Sequence, residues 1–287
     1  MPKLAPGRSA ESALEVLRTT RTAALWLASP AEQWWRRLWG RERLPPLWLR
    51  RHVGPVSQFE SAARATADWI DKLGLLKPGD LVLDIGCGCG AMVGELARRF
   101  GPAGLYVGFD VHAPSIRWCR KHFESDPRLR FELADLRSPY GGGTDEVGSY
   151  QFPIEDASTS FVLAKSVFTH LLEPEAEHYL REIARVLSPE GRALVSAFLF
   201  QTLTDSDPPP LFPHPSDPHS PVRWRLAARP RAAVAYDHAA FTAMIQAAGL
   251  EIETLIQGFF PGHKPTLDGQ DQLVLRRAGA MLSKVSP

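Results

Sequence analysis

Only three cysteines stand in the 287 residues, too few for a disulfide framework, and two of them, Cys87 and Cys89, fall in one glycine-rich stretch. Net charge is just as scarce. Thirty-three basic residues against 32 acidic ones leave +1, so no global field selects nucleic acid or an acidic partner. No apolar run reaches the length of a membrane span. Near the start of the chain, Glu11 and Glu15 stand where a secretory leader needs an apolar core. A reducing cytoplasm is therefore the expected compartment. Internal repeats are missing as well. What the chain does have is apolar content: 44% of its residues are hydrophobic, enough to bury a full α/β core.

One stretch organises that core. Leu81 to Ile85 reads as a buried parallel strand interrupted near its end by Asp84. Gly86, Gly88 and Gly90 alternate after it, and Ala91 to Phe100 has helical spacing. Strand, glycine turn and helix let backbone amides approach a nucleotide-like ligand closely. A dinucleotide turn reads Gly-x-Gly-x-x-Gly and needs no carboxylate in the strand. Here the spacing is Gly-x-Gly-x-Gly, with Asp84 two residues ahead of it. Leu105 to Asp110 reads as a second strand ending in an acid suited to two ribose hydroxyls, and Phe131 to Leu136 as a third carrying Asp135.

Taken in this order, these stretches resemble the class I S-adenosylmethionine-dependent methyltransferases of the small-molecule type, over roughly residues 55 to 277. The resemblance implies an α/β fold: a doubly wound, mostly parallel seven-stranded sheet, Rossmann-like, closed by an antiparallel pair. It implies S-adenosylmethionine as cofactor. Asp84, Ile85, Gly86, Cys87, Gly88 and Gly90 would serve the methionyl end, and Asp110 with Val111 the ribose. Asp135 would accept from the adenine amino group, the Leu136 amide would face the ring, and Lys165 and Ser166 would complete the site at the fourth strand. One departure is Thr159-Ser160, where the family commonly has Phe-Asp. After that strand, Ala164-Lys165-Ser166-Val167 replaces the Asn-Pro-Pro-Tyr-type signature of nucleobase methylation, which argues against nucleic acid.

The expected reaction is in-line transfer of a methyl group to a small-molecule or glycan acceptor, with oxygen the preferred atom. His170, just past the fourth strand, is the candidate base, set against a buried histidine that merely holds a backbone carbonyl. His263, Tyr150 and Glu173 rank below it. Cys87 and Cys89 are read as packing residues, and no metal is expected. Two rivals are an NAD-dependent oxidoreductase and a non-catalytic methyltransferase-like subunit.

The domain reading is an arm and linker over 1–54, a methyltransferase domain over 55–280, and an insertion over 201–235 that holds eight prolines and little regular pattern. Arg223, Trp224, Arg225, Arg229 and Arg231 there suggest an anionic or sugar-like acceptor, or a solvated face. The arm has five of the eight tryptophans, and residues 1–51 carry ten basic against four acidic side chains. Helical spacing covers Glu11 to Leu27, and Pro30 is expected to open a second helix through Trp39. Peripheral contact of residues 1–50 with an anionic membrane or a partner protein is one reading. Packing onto the core or into a homodimer is the preferred one.

Overall fold

The computed structural model describes residues 23–25, 27–35, 38, 44–51, 53, 56–138, 140, 142–200, 211–215, 220–258 and 269–279. Two compact units emerge, Met1–Ala62 and Ala63–Pro287, so the division falls later than the expected linker and inside a helix, α1 (Phe59–Lys72).

In the larger unit the expected sheet is present. Seven strands take the order β10-β11-β5-β4-β1-β2-β3, with β1 (Leu81–Ile85) at the centre. Its neighbours β2 (Leu105–Asp110) and β4 (Thr159–Ala164) run parallel to it, as β3 (Leu129–Leu133) does to β2 and β5 (Leu187–Ala197) to β4. The closing pair, β10 (Leu250–Ile256) and β11 (Asp271–Arg277), is antiparallel, and β11 inserts between β10 and β5.

Side-chain alternation along each strand sorts the core into two layers. Val82, Tyr106, Phe161 and Leu163 pack with α1, α2 (Val93–Phe100) and α3 (Ala113–His122) through Ile70, Leu96, Phe100 and Ile116. Leu83, Ile85, Val107, Phe109 and Val162 face α4 (Glu173–Val186) and α5 (His238–Ala247) through Tyr179, Ile183, Phe241 and Ile245. The helix ends follow local chemistry. Pro114 sits in the first turn of α3, the Glu175 carboxylate accepts from the Leu172 amide ahead of α4 (2.8 Å), and Asp237 caps α5 by accepting from Ala240 (3.0 Å).

Two sequence expectations need correction. Read from the sequence alone, Arg192 to Phe200 is the fifth strand; β5 instead begins at Leu187 and ends at Ala197, and Leu199–Phe200 (β6) passes to a second sheet. Asp271 holds that switch, accepting from the amides of Leu199 (3.0 Å) and Gly258 (2.9 Å). The insertion, expected to lack pattern, builds the rest of that sheet in the order β6-β9-β8-β7 from His214–Pro215 (β7), Val222–Trp224 (β8) and Val234–Asp237 (β9). Strands of two to four residues are too short to display alternation, and so left no sequence signal.

In the smaller unit, residues 27–35 form one continuous helix, as do residues 23–25 just before them. Pro30 lies within the turns it was expected to open. The Ser29 hydroxyl donates to the Leu25 carbonyl at 2.7 Å, a side-chain bond across the turn where proline offers no N–H. The stretch before residue 23, Trp26, Trp39 and His263 lie outside the described residues.

Candidate functional site

Three strand ends are stitched together at the carboxyl edge of the sheet. The amides of Gly86 and Cys87 both donate to the Phe109 carbonyl (2.9 and 3.1 Å), and the Ala134 amide donates to the Asp110 carbonyl (3.0 Å). Gly86 (φ +69°), Gly88 (+55°) and Gly90 (+79°) all adopt left-handed backbone, which other residues enter only with strain. At Gly86 a Cβ would also lie 2.8 Å from Val167 Cγ2, so the turn after β4 presses directly on the glycine loop.

The Asp110 carboxylate is locked in place beside that loop. Gly88 N donates to Oδ2 at 2.8 Å and His112 N to Oδ1 at 2.7 Å. Asp84 lies deeper, 3% exposed, and accepts from the Tyr106 hydroxyl at 2.7 Å. Tyr106 reaches it by leaning over Gly108, where a Cβ would fall 2.8 Å from the phenolic oxygen. Burial pushes the Asp84 carboxyl up to about 7, the Tyr106 hydrogen bond opposes the rise and the Asp110 charge adds to it. The Cys87 and Cys119 thiols are also pushed up by burial, and the Cys119 thiol donates to the Gly88 carbonyl (3.7 Å), so these sulfurs pack beneath the loop as thiols.

Asp135 stands exposed one strand further along. The segment 142–145 crosses its backbone: Asp145 N donates to the Asp135 carbonyl (3.2 Å), and a Cβ on Gly143 would lie 2.2 Å from the Asp135 carbonyl carbon. The Leu136 amide, expected to face an adenine ring, instead donates to the Ala134 carbonyl at 2.8 Å, and Leu136 itself is buried. Half-buried Val111 packs against the core. At the tip of β4, Lys165 Nζ donates to Thr66 Oγ1 (2.5 Å). Ser166 has φ +59°, with its amide donating to Ser196 Oγ (2.8 Å) and its hydroxyl accepting from Gln270 Nε2 (2.9 Å).

His170 follows within one turn, its amide bonded to the Val167 carbonyl (2.9 Å). Its Nδ1 lies 2.9 Å from the Arg231 carbonyl, which can only accept, so Nδ1 carries the proton and Nε2 holds the lone pair. Burial holds the imidazole below its usual pKa, partly offset by the bond to Arg231. The edge of the ring meets Tyr140, with centroids 5.0 Å apart. Tyr150 is a poor base, because burial pushes its phenol up to about 12.

Several of these residues gave no sequence signal. Tyr106, Ser196 and Gln270 act through contacts 22 to 104 residues away. Arg231, open in the sequence to an acceptor contact or a solvated face, pairs with Glu175 (2.6 Å) and so ties the insertion to the start of α4. Arg223 lies over the Phe200 ring, 5.7 Å from its centroid.

The glycine cradle and the amide-locked carboxylate fit a ligand with a zwitterionic end and a vicinal diol. Residues 82–191 match a family model described as a methyltransferase domain. Residues 82–191 are thus a methyltransferase domain of the S-adenosylmethionine-dependent kind. Among curated relatives, a fatty-acid O-methyltransferase of Mycolicibacterium smegmatis is 34% identical over 39% of this chain and 35% of its own length. Nocamycin O-methyltransferase of Saccharothrix syringae is 31% identical over 48% of this chain and 43% of its own. The chain thus spans less than half the length of these relatives. A Burkholderia thailandensis 1,6-didemethyltoxoflavin-N1-methyltransferase structure shares the domain's fold at TM-score 0.52 and 17% identity, covering 96% of this chain and 94% of that one.

Proposed function

We propose that the protein transfers a methyl group from S-adenosylmethionine to an oxygen of a small-molecule acceptor, a glycan being the second acceptor class. The observation that carries this is the Asp110 carboxylate, aimed by the Gly88 and His112 amides beside the buried Asp84. S-adenosylmethionine, when bound, supplies an electrophilic methyl on a sulfonium. Asp110 would hold the ribose hydroxyls, and the Gly86–Gly90 turn with Asp84 beneath it the amino-acid end. Asp135 and the buried Leu136 side chain would flank the base. Val111, Lys165 and Ser166 would line the remaining edge.

A hydroxyl acceptor needs its proton removed as the bond forms, and His170 would take it at Nε2. The Arg231 carbonyl fixes the tautomer and burial keeps the ring neutral near pH 7. The preference for oxygen is supported by the two relatives named as O-methyltransferases. An NAD-dependent oxidoreductase is set aside because the matched family is a methyltransferase domain.

The test is incubation of cell extract with the enzyme and methyl-labelled cofactor, followed by mass spectrometry. An oxygen-linked label in one product class is the expected result. Label on nitrogen or carbon, or none, overturns the assignment of the atom.

A further inference from the structure

The smaller unit wears its helix inside out. At 100° per residue, Leu27, Ala31, Trp34 and Trp35 of the helix over 27–35 share one stripe about 100° wide. Every one of them is exposed, Leu27 by 70%, Trp34 by 63% and Trp35 by 58%, and so are Ala23, Ala24 and Leu38, the last by 62%. The opposite side holds the interior contacts. Ser29 is buried there, Leu25 is half-buried, and Glu32 pairs with Arg50, a buried guanidinium. A polar seam is thus turned inward and an apolar stripe outward, the reverse of a helix that stabilises its own unit.

We propose that this stripe docks the protein on an anionic lipid bilayer. Charge complementarity favours that occupant. Residues 1–51 carry ten basic against four acidic side chains, while the remaining residues carry 23 basic against 28 acidic. An amphipathic helix with tryptophan and leucine on one face, set in a strongly basic segment, lies in the headgroup boundary and gains from negative lipid. A second copy fits less well. Two segments of charge +6 would meet, and a stripe of four residues, one of them alanine, falls short of the 20 to 30 or so a stable dimer contributes per side.

The test floats the full chain with vesicles of phosphatidylcholine alone and with about 30% phosphatidylglycerol added. A variant carrying Leu27→Gln, Trp34→Gln and Trp35→Gln is run beside it, with S-adenosylhomocysteine affinity as the check that the larger unit is intact. The chain is expected to float at least about tenfold more with the anionic vesicles, to lose that gain in high salt, and to lose it in the variant while keeping ligand affinity. A chain left at the bottom of the gradient with anionic vesicles overturns the proposal, as does equal flotation of the variant. A dimer by light scattering that the variant dissolves, with no lipid binding, assigns the stripe to a second copy instead.

Discussion

At Asp84, burial and a single phenolic hydrogen bond pull in opposite directions, and the balance leaves the carboxyl at about 7. In an unfolded chain an aspartate titrates near 3.9. A folded value raised above that means ionisation opposes folding. This cost is absent below about pH 4, grows as pH rises, and is complete above about pH 7. Asp84→Asn should therefore melt higher than wild type, with a gap that widens between those two pH values and stays constant beyond. The same substitution should weaken S-adenosylhomocysteine and flatten its pH dependence, because in the wild type an ammonium near Asp84 draws the proton off and affinity climbs toward pH 7. Thermal melts and calorimetry from pH 5 to 8 check both. A variant that melts lower throughout removes the buried carboxylate's role. At His170 the depressed pKa puts the loss of activity below about pH 6.5, where the ring becomes charged. His170→Ala should lower kcat by about 10²- to 10⁴-fold with S-adenosylhomocysteine affinity unchanged. An unchanged kcat with a confirmed acceptor would exclude it as base.

Among the elements, the segment 142–145 lies against the backbone of Asp135 with no room for a side chain at Gly143, where a Cβ would fall 2.2 Å from the Asp135 carbonyl carbon. Gly143→Ala must push one of the two away. A cost of about 1–3 kcal/mol in stability is expected, with a roughly tenfold loss of S-adenosylhomocysteine affinity, read by melting and titration. Retention of both would mean that this crossing does not shape the site. That crossing was not legible in the sequence, which showed only a glycine run. What was legible is local: β1, the glycine turn and α2 follow from adjacent residues, and so do the proline in the first turn of α3 and the Asp237 cap of α5. Contacts made across long sequence separations were not. Tyr106 on Asp84, Gln270 on Ser166 and Arg231 on Glu175 each join residues that no spacing rule relates. Arg231 is the clearest case, since an arginine in a proline-rich stretch reads alike whether it meets a ligand, solvent or a glutamate.

At the level of the whole molecule, strand order turns three separated sequence stretches into one site. Because β1, β2 and β3 lie side by side, Asp84, Asp110 and Asp135 arrive at the same edge although 25 or so residues separate each from the next. The alternation that buries Leu83 and Ile85 against α4 and α5 turns Asp84 toward the layer of α1 to α3, where Tyr106 waits. Fold and site are thus one consequence of a single hydrophobic pattern. The most direct test is calorimetric titration of S-adenosylhomocysteine into the purified wild-type chain and into Asp110→Ala. One binding site in the wild type is predicted, with affinity at least about 100-fold weaker in the variant, as expected when two charge-assisted hydrogen bonds are lost. No binding to the wild type, or equal binding by Asp110→Ala, would contradict it.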